Sequence, residues 1–213
     1  LRCIYWILPF IFLVTKALSA PVHLPFSPER AEADLSVVID SRAPIDSAVL
    51  QAMEKELKRI FGPTDTLIEL VIYRNRNESK VFESQVIMTR VVGECDALAA
   101  ATSYTHKPDT LGRTFVTDGE ILPFVELNCR QISGAVQQQI RAFPKDEYPV
   151  VLGRALARVL AHEIFHILAA TMKHARHGIA AETMNAVQLT TERHDFRPED
   201  FERMHLLPAT GTF

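Results

Sequence analysis

The stretch from Pro149 to Ala170, "PVVLGRALARVLAHEIFHILAA", constrains this chain more than any other. It is built almost wholly from Ala, Leu, Val and Ile, broken by Arg154, Arg158 and a His-Glu-x-x-His pattern. A segment this long and this apolar on nearly every side reads as a helix at the centre of a core. Burying His162, Glu163 and His166 there without partners would be costly. On a helix, His162 and His166 lie about 40° apart in azimuth and one turn apart in height, on one face. Their ring nitrogens can then reach a single metal ion at ~2.0–2.1 Å. Glu163 sits about 100° round from His162, at the edge of that face. There it is badly placed to share the coordination but well placed to touch a water on the metal. Ala155, Ala169 and Ala170 leave room for an ion and a backbone to approach. The competing explanation is a hydrogen-bonded histidine pair in a metal-free core.

The surrounding chain reads as one domain. Of 213 residues, 47% are hydrophobic and 23% charged, an ordinary globular balance. The net charge of −3 lacks the basic footprint of a nucleic-acid binder. "LSVVID" (Leu35 to Asp40) predicts a strand, and a helix follows from Pro44 to the stop at Gly62-Pro63. Its apolar stripe is Ile45, Val49, Met53, Leu57, Ile60 and Phe61. Thr66 to Asn75 and Lys80 to Val92 read as a pair of strands joined by polar "RNES". Thr110 to Asn128 predicts two more strands about the turn Asp118-Gly119. A helix is expected from about Cys129 to Phe143, and a last short one over Arg197 to Leu207. The expectation is a single α+β domain over residues 35–213, with a mixed or antiparallel sheet packed on the long buried helix.

The first residues differ from the rest. "LRCIYWILPFIFLVTKALSA" runs from Arg2 through an apolar stretch to small residues at Ala17 and Ser19, the pattern of a secretory signal peptide over residues 1–19. The apolar run is about 12 residues, short for a membrane span of roughly 20, and an uncleaved anchor is the alternative. Residues 20–34, with Pro21, Pro25 and Pro28, read as an extended leader. The mature protein is then expected in the periplasm or outside the cell, with no membrane attachment after cleavage. Taking Arg2 and Lys16 from the 23 basic residues, against 26 acidic ones, leaves a charge of about −5. In an oxidising compartment, Cys95 and Cys129 are an even pair able to form a disulfide. Two unpaired thiols are the alternative.

"HEIFH" in a long buried helix after a strand-rich half resembles the zincin metalloproteases, and their metzincin branch more than the thermolysin-like one. The resemblance is specific over five residues and suggestive over about twenty. It implies one Zn2+, two ligands at His162 and His166, a third ligand downstream, Glu163 as general base, and a peptide or protein substrate. Metzincins place a glycine three residues after the second histidine and the third ligand three further on. Here those positions hold Ala169 and Met172. His174 is favoured as third ligand if the helix ends near Ala170-Thr171 and the chain turns back. If instead the helix runs on to Gly178, which is also a fair stop signal, His174 lies about 12 Å along the axis from His166 and cannot join. Glu182 and then His177 are the alternatives.

Met184 is a candidate for the methionine turn of a metzincin floor, with an ordinary packing role as the alternative. Tyr148, Arg176 and His177 are candidates to polarise a carbonyl. His23, His106, His194 and His205 read as surface residues, and Asp109 and Asp118 as turn residues. No G-x-S-x-G or Gly-rich phosphate loop appears, which argues against serine hydrolases and nucleotide enzymes. Three readings follow: an exported zinc metallopeptidase, a secreted non-catalytic protein-binding module on the same scaffold with a structural metal, or a structural secreted domain without metal.

Overall fold

The computed structural model describes residues 33–73, 84–95 and 110–205. The segment read as a signal peptide (residues 1–19), residues 20–32 of the segment read as a leader, and His23, His106 and Asp109 lie outside the described residues.

Five strands form one mixed sheet: β1 (Leu35–Ser41), β2 (Ile68–Tyr73), β3 (Gln85–Val92), β4 (Gly112–Thr117) and β5 (Glu120–Asn128). Their order is β2-β1-β3-β5-β4. The first four in that order run parallel, and β4 is antiparallel to β5. The expected pairing of β2 with β3 is therefore corrected: β1 lies between them and is paired with both. Apolar β-branched runs identify strands but not partners, and two parallel neighbours need crossovers rather than a hairpin.

Helix α1 (Ser47–Phe61) supplies the crossover from β1 to β2. It starts three residues later than the proline suggested, because the Asp46 carboxylate accepts from the Ala48 amide at 2.7 Å and caps it. Its buried stripe is Val49, Met53, Leu57, Ile60 and Phe61, together with Glu56. Helix α2 (Cys129–Ile140) follows β5, capped by Asn128. Helix α3 (Tyr148–Leu168) is the long apolar segment, with seventeen buried residues. Helices α4 (Ala186–Thr190) and α5 (Pro198–Phe201) are short. The sequence pattern missed α4, which is only five residues long and is held by an Asn185–Gln188 capping box. No helix among the described residues is long and apolar enough to cross a membrane.

One core joins α1, α2 and α3 to one sheet face, the face of Leu35, Val37, Ile39, Ile87, Val91, Val125 and Leu127. The result is an α+β domain whose central helix touches α1, α2, α4, β4 and β5. Helix α3 crosses α1 at Gly153. A Cβ there would stand 2.4 Å from the Val49 carbonyl oxygen, so only glycine permits this approach. Cys95, just after β3, and Cys129, the first residue of α2, are joined by a disulfide with their Cα atoms 5.3 Å apart.

An ion network ties the helices together. Arg158 of α3 is fully buried, and its Nε donates to Glu56 Oε1 at 2.8 Å. Arg59 donates to both oxygens of Glu56 at 2.9 Å and pairs with Asp195. Arg154 and Arg158 also donate to the carbonyls of Thr190 (2.8 Å) and Gln188 (2.6 Å) at the end of α4. These arginines, which only interrupt the apolar run in the sequence, fasten the chain that returns over α3.

Candidate metal centre

The end of α3 decides the site. Ala170 adopts a left-handed conformation at φ 44°. The Ala170 amide bonds the Ile167 carbonyl (3.2 Å), and the Thr171 amide reaches back to the His166 carbonyl (3.1 Å). This is the Schellman pattern of helix termination, with alanine where glycine is usual. The Leu168 carbonyl is taken by the His205 amide at 2.8 Å. Residues 171–181 then double back, closed by a bond from the Ala175 amide to the Ala180 carbonyl at 2.8 Å. Gly178, the competing stop signal, lies in this returning loop at φ 79°.

The turn brings three imidazoles together. One ligand atom from each of His162, His166 and His174 lies within 4.8 Å of the others, and no other such group of three occurs among the described residues. Ring centroids are 4.8 Å apart for His162–His166, 5.2 Å for His162–His174 and 4.9 Å for His166–His174. His174 is exposed, while His166 is buried and His162 is 9% exposed. The exposed third ring leaves one side of the cluster open to solvent.

The donor set fits a cation. The His162 Nδ1 bonds the Ile179 carbonyl and the His166 Nδ1 bonds the Thr171 carbonyl, both at 2.7 Å. A carbonyl only accepts, so each Nδ1 carries a proton. Burial lowers the pKa of both rings, which favours their neutral forms. Both Nε2 atoms are then bare lone pairs, and they face each other at 3.1 Å. Such an arrangement is repulsive unless a cation lies between the two. With bonds of ~2.05 Å, that separation corresponds to an N–metal–N angle of about 100°, close to tetrahedral. The backbone carbonyls on Nδ1 are the usual outer partners of ligating histidines.

Glu163 is 5% exposed and does not belong to the cluster. Its Oε2 accepts from the Thr114 hydroxyl of β4 at 2.8 Å. Burial raises its pKa from the ordinary carboxylate value, and the Thr114 bond opposes the rise in part. Gly112 of β4 lies against the same side chain: a Cβ there would stand 3.0 Å from Glu163 Oε1 and 2.8 Å from Val159 Cγ1. Neither β4 residue stood out in the sequence, although a glycine opening a strand is a sign of close backbone approach.

Other candidates fall elsewhere. His177 and Glu182 are exposed and outside the group of three. Tyr148 opens α3, fourteen residues before His162 and so about 21 Å away along the axis, too far to polarise a substrate at the cluster. Met184 packs against the core, and Arg176 is exposed. His194 is half-buried rather than a surface residue, and burial lowers its pKa. His205 is exposed. Asp118 occupies the β4–β5 turn at φ 50°.

The fold and cluster together describe an α+β domain with a three-histidine candidate metal site at the end of its central helix. Comparison with known proteins finds no matching family model, no matching curated protein and no matching solved structure.

Proposed function

We propose that this protein is an exported zinc-dependent peptidase, with His162, His166 and His174 as the metal ligands and Glu163 as general base. The observation that carries the reading is the pair of bare Nε2 atoms facing each other at 3.1 Å, one residue from a buried carboxylate. Three imidazoles, with one side open, suit a catalytic zinc better than a closed structural one. When bound, the metal would act as a Lewis acid on a carbonyl oxygen and lower the pKa of water.

The chain's own groups do the rest. The carbonyls of Ile179 and Thr171 hold the two buried rings in the ligating tautomer. Glu163 receives a proton from the attacking water and returns it to the leaving amine. Its raised pKa brings it nearer the operating range of such a group. A peptide substrate is supported by β4. Among the described residues this strand pairs only with β5, and an extended chain can add to a free strand edge.

The test is Glu163→Gln in the purified protein. Zinc content should be unchanged, and peptide hydrolysis should fall by roughly two orders of magnitude or more. Equal hydrolysis by the variant would refute the base role. A wild type that holds zinc yet cleaves nothing in a broad peptide library would favour the non-catalytic binding module.

A further inference from the structure

We propose that Thr114 is a positioning residue for Glu163, and that β4 sets the orientation of this carboxylate through Thr114 and Gly112. The inference rests on the reading of Glu163 as the base. The terminal torsion of a glutamate is broad, so a carboxylate meant to meet a proton in one geometry needs an anchor. Thr114 is that anchor: its hydroxyl lies 2.8 Å from Glu163 Oε2 and 3.1 Å from the Glu163 carbonyl oxygen. Being β-branched, Thr114 is itself stiff about χ1. It is 8% exposed, so water competes little for the bond. Oε1 is bounded by Gly112, two residues along the same strand face. With Oε2 held by Thr114 and Oε1 bounded by Gly112, the orientation of the carboxylate is set from β4.

The strand is arranged to present Thr114. Pairing of β4 with β5 is regular at Thr117–Glu120 and Val116–Ile121, then slips so that Thr114 faces Val125. The slip spans Pro123, which has no N–H to give the ladder. Such irregularities re-aim side chains. Here Thr114 faces α3, while Phe115 and Val116 are 36% and 46% exposed.

The experiment compares wild type, Thr114→Val and Thr114→Ser, each loaded with zinc. Crystal structures report the Glu163 side chain, and kinetics on a cleavable peptide separate kcat from KM. In Thr114→Val, zinc content and KM should be retained, Glu163 should shift or occupy more than one conformation, and kcat should fall about 10²-fold. Thr114→Ser should restore the Oγ–Oε2 contact and kcat. If valine impairs folding, Thr114→Ala serves the same comparison. Glu163 unmoved with kcat unchanged in the hydroxyl-free variant would overturn the proposal, as would equal loss in the serine variant. If wild type proves inactive, the peptidase reading fails by itself. The crystal structures still decide whether the threonine hydroxyl holds the carboxylate.

Discussion

At the scale of single residues, the proposed third ligand is the point on which the site turns. His174 is the residue brought beside His162 and His166, whereas His177 and Glu182 stay outside. His174→Ala should therefore weaken zinc binding markedly in a chelator competition, while His177→Ala and Glu182→Ala should leave it near wild type. Equal weakening in all three would show that the loop, not the imidazole, matters. The geometry of His162, Glu163 and His166 was legible in the sequence because helical spacing alone puts the two histidines on one face and Glu163 at its edge. His174 was legible only as one of two outcomes, since the stop is made by Ala170 rather than by glycine or proline. An L-residue in the left-handed region costs roughly 1–2 kcal/mol. Ala170→Gly should relieve part of this and raise the melting temperature by a few degrees, a gain equivalent to roughly 1 kcal/mol. A lower melting temperature would mean that Ala170 contributes packing that outweighs its strain.

At the scale of elements, patterns read along the chain succeeded where the controlling interactions were local. The stripe of α1, the turn at Asp118-Gly119 and the apolar length of α3 all belong to that kind. Strand partners did not, because β2, β1 and β3 lie side by side through contacts between residues dozens of positions apart. The approach of β4 to Glu163 is equally non-local, with Thr114 and Glu163 49 positions apart in the chain. The same holds for Glu56, which reads as one polar residue of an amphipathic helix and proves to be the partner of a fully buried arginine. Burial alone would raise the Glu56 pKa, but the hydrogen bonds and charges of Arg59 and Arg158 outweigh it and hold it below the ordinary 4.5. A carboxylate with a depressed folded-state pKa stabilises the fold above its unfolded value. That contribution is lost as pH falls from about 4.5 through the folded value. Glu56→Gln should flatten this acid limb and cost about 3–5 kcal/mol near neutrality, because it strands Arg158 without its counter-charge. Urea unfolding of both proteins from pH 3 to 7 checks it. A loss under 1 kcal/mol with an unchanged acid limb would contradict the assigned role.

At the scale of the whole molecule, the histidine cluster draws on parts that meet only in the folded chain. Helix α3 supplies two rings, and the returning loop supplies the third together with both tautomer-setting carbonyls. The arginines at 154 and 158 and the packing of Phe196 on Phe61 and Phe165 hold the following chain in place. A metal bound here favours the folded state alone and should raise the melting temperature in proportion to its affinity. The measurement that bears most directly on this account is elemental analysis of the purified protein, before and after equilibration with zinc. The account predicts about one zinc per chain, lost in His162→Ala and in His166→Ala. No zinc taken up by the wild type, or full retention in both histidine variants, would contradict it.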